Sequence, residues 1–105
     1  PNQPLAHAQF VSNIVDFGMN LQQALEAPRF TRNTATGCDA FIESRFPGET
    51  IKRLSAMGHE LTVRAEFTQE MGRGQAVLFD SKTGVHYAAS DPRADGAAIP
   101  EPIQL

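Results

Sequence analysis

The apolar residues of this chain change rhythm about half-way along it, from helical spacing to alternation. Between Leu5 and Phe17, Phe10, Ile14 and Phe17 recur at three- and four-residue steps, and Val11 and Val15 widen the stripe, which predicts an amphipathic helix. Gly18 follows, the residue that best tolerates the left-handed conformation of a helix C-terminus. Asn20 can then cap a second helix, with Gln23 three residues on as the partner of a capping box. Leu21, Ala24 and Leu25 give that helix an apolar side, and Pro28 limits it, because the residue before a proline is pushed out of the helical region. Residues 31–39, TRNTATGCD, read as a loop, and Ala40 to Ser44 as a short strand. A third helix is predicted from Pro47 to Met57. Proline suits a first turn, Glu49 complements the helix N-terminus, Ile51 and Leu54 share a side, and Gly58 ends it.

Beyond this point the pattern is that of sheet. Leu61, Val63 and Ala65 alternate with Thr62, Arg64 and Glu66, the period of a half-buried strand. Residues 74–80, GQAVLFD, carry four consecutive apolar residues, which predicts burial on both faces. The first and third helices are expected to cover one of those faces. The other calls for a further layer, and the rest of the chain has few apolar elements from which to build it. Ser81 to Gly84 is a tight connection with Gly84 at positive φ, and Val85 to Ser90 pairs back as a hairpin. Asp91-Pro92 and Asp95-Gly96 are turn signals. Pro1 to Pro4 read as an irregular lead, and Pro100 and Pro102 as an extended tail. No repeat, low-complexity block or long linker divides residues 1–105, which therefore read as a single domain. The order helix-helix-strand-helix-strand-strand-strand is α+β.

Composition narrows the function classes. A chain of 105 residues buries about two thirds of its unfolded surface, and its 41% apolar and 20% charged residues are those of a globular protein. A net charge of −3 leaves no electrostatic footprint for nucleic acid. No apolar run approaches the ~20 residues of a membrane span, and no signal peptide is visible. The one cysteine, Cys38, excludes an internal disulfide and fixes no redox compartment, so periplasmic, extracellular and cytoplasmic locations stay open.

Candidate chemistry is sparse. His59-Glu60 and His86 lack any metal-ligand spacing and are read as satisfied or solvent-facing, so no metal or cofactor is implied. Cys38 sits in a polar loop without a nucleophile signature. Met71-Gly72-Arg73-Gly74 has no helix behind it and reads as a lead into a strand or a bulge rather than a phosphate nest. The segment Asp91-Pro92-Arg93-Ala94-Asp95 admits two readings. Arg93 could grip a substrate carboxylate, which its planar fork suits. Alternatively, Asp91 and Asp95 form turn hydrogen bonds while Arg93 pairs with a carboxylate or caps carbonyls. The second is preferred, and Arg29 is read in the same way, as an anchor of the second helix to nearby backbone or carboxylate. Arg29, Asp91, Arg93 and Asp95 are thus expected at structural turns or interfaces, and no residue is assigned a catalytic, substrate-binding or metal role.

Residues 16–30, DFGMNLQQALEAPRF, followed in order by Phe41-Ile42-Glu43-Ser44-Arg45, Ala56-Met57-Gly58-His59, Met71-Gly72, Gln75-Ala76 and Ala89 to Gly96 (ASDPRADG), resemble the C-terminal part of the small subunit of the gamma-glutamyltransferase (gamma-glutamyltranspeptidase) family. The resemblance implies part of an N-terminal-nucleophile hydrolase sandwich (αββα), with helices packed on a mainly antiparallel sheet. The large subunit and the N-terminal part of the small subunit would be the partners that complete it. It also implies a self-cleaving precursor whose new N-terminal threonine is the nucleophile, activated by its own amine. That threonine would move γ-glutamyl groups from glutathione-type donors to water or an acceptor amine. In the family, a serine pair and a glycine pair hold substrate and oxyanion, upstream of the helix that corresponds to residues 5–17. This sequence begins with Pro1 and contains neither pair, so no catalytic residue is carried over. The chain by itself is expected to be inactive and prone to self-association. Two other functions stand beside this one: an acylase-type amide hydrolase of the same family, and a non-catalytic α+β interaction module.

Overall fold

The computed structural model describes residues 3–34 and 36–99; the readings made for Pro1 and for the Pro100–Pro102 tail fall outside them. In chain order the elements are α1 (Gln3–Val15), α2 (Leu21–Glu26), β1 (Phe30–Arg32), β2 (Asp39–Glu43), α3 (Gly48–Ala56), β3 (Glu60–Arg64), a single 3-10 turn (Gln69–Met71), β4 (Gln75–Asp80) and β5 (Val85–Ser90). The fold is α+β, as the element order predicts.

Local chemistry accounts for the helices. α1 takes Pro4 into its first turn, where a missing N–H costs nothing. Its far end is closed by Gly18 at φ 67°, which lets the Met19 N–H reach back 3.0 Å to the Asn13 carbonyl. The capping box of α2 forms as the sequence predicts. The Gln23 N–H donates to Asn20 Oδ1 at 2.8 Å, and the Asn20 N–H donates to Gln23 Oε1 at 3.0 Å. At six residues α2 is too short to persist alone, so the box and the burial of Ala24 and Leu25 sustain it.

The strands form two sheets. In the first, of order β1-β2-β3, β1 and β2 are antiparallel while β2 and β3 are parallel. The parallel pairing follows from α3, which supplies the crossover such pairs require and lies against β3. The second sheet is the antiparallel hairpin β4–β5. β1 overlaps at Thr31 and Arg32 the stretch 31–39 read as a loop. Its three residues, Phe-Thr-Arg, show no apolar alternation; pairing with Ala40, Phe41 and Ile42 of β2 makes the strand, and only Thr31 turns inward. The small core of Ala24, Leu25, Ile42, Met71 and Ala89 sits where α2 and the 3-10 turn join the two sheets.

Among the described residues the expected cover over β4 is not supplied. α3 packs on β3 instead, and α2 reaches only the base of the hairpin, where Ala89 is buried. Val77, Leu78 and Phe79 remain 75%, 50% and 54% exposed, so both faces of the hairpin are bare toward its tip. Two glutamines, by contrast, finish sheet edges. Gln9 of α1 donates to the Phe30 carbonyl at 2.9 Å and accepts the Phe30 N–H at 3.1 Å, standing in for a strand beside β1. Gln22 of α2 does the same for Ser90 on β5, at 3.0 and 3.3 Å. Unpaired backbone at a sheet edge invites pairing with another chain, and such side-chain amides blunt it.

Candidate functional site

The densest chemistry in the described residues is a buried cluster of four charges at the joint between the sheets: Arg29, Glu43, Asp91 and Arg93. They arrive on three different pieces of local structure. Arg29 follows the Pro28 that limits α2. Glu43 closes β2. Asp91 and Arg93 lie in the turn after β5, where the Arg93 N–H donates to Asp91 Oδ1 at 3.0 Å, the hydrogen bond an aspartate makes to its own turn.

Arg93 holds the cluster together. Its Nε donates to Glu43 Oε2 at 2.8 Å and its Nη2 to Glu43 Oε1 at 2.5 Å, the planar two-point fork of an arginine–carboxylate pair. Nη2 also donates to the Ala27 carbonyl at 2.8 Å, and Nη1 donates to the Leu25 carbonyl at 2.6 Å and to Asp91 Oδ1 at 3.1 Å. A guanidinium has five N–H donors, and these five bonds use them all. The carbonyls it takes are those left open at the end of α2, so the turn after β5 caps that helix from the far side of the sequence.

Arg29 fills the remaining corner. Its Nη1 lies 2.8 Å from Asp91 Oδ2, and its Nη2 donates to the Leu25 carbonyl at 3.0 Å. The carboxylates are equally occupied. Glu43 accepts the Arg29 N–H at 2.9 Å and the Thr68 N–H at 3.0 Å, and Asp91 accepts the Gly74 N–H at 2.8 Å. A Cβ at position 74 would stand 2.6 Å from Cδ2 of the buried Leu25, which would have to shift to admit it. The Met71–Gly74 stretch, read as a lead into a strand, comes off the 3-10 turn and delivers that N–H to the cluster.

The protonation states follow from this geometry. Burial alone would raise the carboxyl of Glu43, but hydrogen bonds from Arg93 and from the Arg29 and Thr68 backbone outweigh it and hold the group below its ordinary value. Asp91 is likewise lowered against its burial by the N–H groups of Arg93 and Gly74 and by the charge of Arg29. Burial opposes the charge on Arg93, but Glu43 and Asp91 raise it above its usual value. Arg29 is lowered by burial and by Arg93, and its guanidinium stays charged at any working pH. Two cations and two anions thus share one dry space with their partners within reach.

Of the residues singled out in the sequence, the structure brings Arg29, Asp91 and Arg93 together and leaves Asp95 exposed outside the cluster. Glu43 escaped sequence reasoning. The available signal was arithmetic: two inward arginines and one inward aspartate require a second anion, and an acidic residue closing an apolar strand supplies it. Arg45, next to Glu43, stacks its guanidinium 3.8 Å from the Phe67 ring centroid. Phe67 itself adopts φ 52°, the left-handed region that a bulky residue enters only when its surroundings require it. The following residue is Thr68, whose N–H is bound by Glu43. Cys38 is exposed, and His86 lies against the Phe79 ring. Among the described residues no three His, Cys, Asp or Glu side chains gather as metal ligands, and no helix is long and apolar enough to cross a membrane.

Residues 1–101 match the family model of gamma-glutamyltranspeptidase. The chain belongs to the gamma-glutamyltranspeptidase family. It is 32% identical over 100 residues to the glutathione hydrolase-like YwrD proenzyme of Bacillus subtilis (strain 168), a match covering 92% of this chain and 19% of that protein. Cephalosporin acylase from Bacillus halodurans superposes with a TM-score of 0.81 at 37% identity, over 90% of this chain and 17% of that one. Gamma-glutamyltranspeptidase from Pseudomonas nitroreducens does so with a TM-score of 0.77 at 25% identity, over 93% of this chain and 49% of that one. The chain therefore spans about a fifth of the length of the curated family relative it matches. These structural neighbours are N-terminal-nucleophile hydrolases, and the α+β fold described above is shared with them.

Proposed function

We propose that the chain is the C-terminal part of the small subunit of an enzyme that hydrolyses or transfers γ-glutamyl groups, with glutathione-type donors as its substrates. On this reading its own task is architectural. The nucleophilic threonine and the oxyanion donors lie outside residues 1–105, and the large subunit and the N-terminal part of the small subunit complete the αββα sandwich. Family membership supports the enzyme. The observation that carries the architectural role is the closure of Arg93: with all five donors spent inside the chain, none is left for a substrate carboxylate. Arg29 and Asp91 are spent in the same joint.

The test is an assay of two proteins with a chromogenic γ-glutamyl anilide. The parent protein should release the chromophore, and purified residues 1–105 should not exceed the buffer rate. Turnover that follows the short chain through purification, and persists in its Cys38→Ser variant, would place the chemistry here and overturn the proposal.

A second reading has a specific observation behind it, the 37% identity to a cephalosporin acylase. The parent would then be an acylase-type amide hydrolase. Offering it an acyl amide that lacks the γ-glutamyl amino group separates the two: preference for that substrate over the γ-glutamyl anilide selects the acylase.

A further inference from the structure

We propose that residues 67–72 form a hinged strap over the buried charge cluster, that it opens as one unit while both sheets stay intact, and that this opening is the route by which water reaches the cluster.

The strap lies between β3 and β4 and is tied to the cluster at separate points. The Thr68 N–H donates to Glu43 Oε2 at 3.0 Å. Arg29 Nη1 donates to the Met71 and Gly72 carbonyls, each at a long 3.4 Å. Two side chains complete the closure. Met71, fully buried, plugs the core where the sheets join. The Phe67 ring has the Arg45 guanidinium 3.8 Å from its centroid and that of Arg93 5.7 Å away. A single ring is thus within cation–π range of Arg93, which is wholly buried, and of Arg45, which meets solvent.

The backbone marks this segment as the part that moves. Its two ends are positions of positive φ, Phe67 at 52° and Gly72 at 89°. A few residues at the ends of an element absorb the φ/ψ change of a hinge. Glycine holds such a value without cost, whereas phenylalanine does not, so the closed strap carries strain at Phe67 that opening releases. The backbone hydrogen bonds of the strap are its own: the Met71 N–H donates to the Thr68 carbonyl at 3.2 Å, and the Gly72 N–H to the Gln69 carbonyl at 3.1 Å. Among the described residues no backbone bond fastens it to a strand. A 3-10 turn this short does not hold itself, so its internal bonds are lost together with the ties. The cluster, by contrast, keeps its main pairs when the strap leaves, since Arg93 still holds Glu43 and Arg29 still holds Asp91. Opening therefore gives up a few side-chain bonds and the burial of Met71, which is less than parting the sheets. Segments so attached open at lower free energy than core strands.

Amide hydrogen exchange of the parent protein, read residue by residue, tests this. The Thr68, Met71 and Gly72 amides are expected to share one protection factor, roughly ten-fold or more below that of β2, the central strand of the first sheet. Unequal protection among them, or protection equal to that of β2, would overturn the proposal. Phe67→Ala removes the ring and keeps the strain. It should speed exchange at these amides by about ten-fold, as for loss of a desolvated cation–π contact, and leave β2 unchanged. Phe67→Gly removes the ring and the strain together, so its exchange should be faster than in the unsubstituted protein and several-fold slower than in Phe67→Ala. A glycine variant as fast as the alanine one would mean that Phe67 is no strained hinge. One as slow as the unsubstituted protein would mean that the ring is no latch, and either result overturns the proposal. Exchange in the unsubstituted protein decides the matter even where a variant fails to fold.

Discussion

The joint between the sheets and the tip of the β4–β5 hairpin are opposites in the same small chain. The joint is charged, dry and closed, with the side chains of Arg29, Glu43, Asp91 and Arg93 at most 5% exposed and each held by several partners. The tip is apolar, wet and open, with Val77 three-quarters exposed. Ordinary expectation would place them the other way round, with charges outside and apolar residues inside. The inversion teaches which interactions the segment makes for itself and which it leaves to others. The charges are satisfied by residues from four separate stretches of this chain, so they fix how α2, the first sheet and the hairpin meet. The apolar tip has no such partner among the described residues. Soluble monomers seldom keep an apolar surface of this kind, which is what the proposed place in a larger enzyme would account for.

Breaking the joint should have the largest effect. Arg93→Ala leaves Glu43 buried without its two-point partner and reopens the carbonyl of Ala27, while that of Leu25 keeps only the Arg29 donor. Removing one member of a buried pair costs about 3–5 kcal/mol. Chemical denaturation of the parent should show that loss, while KM of the molecules that remain folded changes little. An unaltered unfolding midpoint together with a large rise in KM would make Arg93 a substrate ligand and erase the contrast.

The tip should respond according to its surroundings. In the isolated chain Phe79 is already half-exposed, so Phe79→Ala should leave stability nearly unchanged and should reduce both binding of a hydrophobic dye and concentration-dependent light scattering. In the parent, where a covering layer is expected, the same substitution should cost about 3–5 kcal/mol, as for a buried phenylalanine. Equal, small effects in both proteins would show that the tip is never covered.

Acid sharpens the comparison with a smaller, graded effect. Glu43 and Asp91 are held below their unfolded values, so their contribution is complete above about pH 4.3 and is lost as pH falls from there through the folded values. Each carboxylate then removes about 1.4 kcal/mol per pH unit within that window. The shift of Arg93 is upward from an already high value and has no effect in acid. Thermal unfolding of the parent between pH 6 and pH 3 should fall off below about pH 4, and Glu43→Gln should flatten the slope. A melting temperature constant across that range would mean that the joint is not held in its charged form.

The helices were largely legible in the sequence because their determinants are local. Asn20 and Gln23 lie within one turn of each other, and Gly18 acts through its own φ. What escaped was set at a distance. β1 exists because β2 pairs with it, and Thr31 alone carries no strand signal. The parallel register of β2 and β3 depends on where α3 lands. Glu43 is buried because Arg93, fifty residues on, faces it. Arg93 and Arg29 could be read as structural candidates from their turn-forming neighbours, but the closing of the cluster required a partner no local pattern points to. The four apolar residues of β4 were legible as a strand meant to be covered, though not the absence of a cover within the described residues.

The joint also decides how the molecule responds to salt. Its four innermost charges pair off inside one buried space, and only Arg45, 3.5 Å from Glu43 and 23% exposed, meets solvent there, so counter-ions have little access to the pairs. The exposed pairs, Arg53 with Glu49 and Arg64 with Glu70, are of the kind that salt weakens. In a brine that dissolves those surface contacts, the seam between the two sheets would keep its alignment.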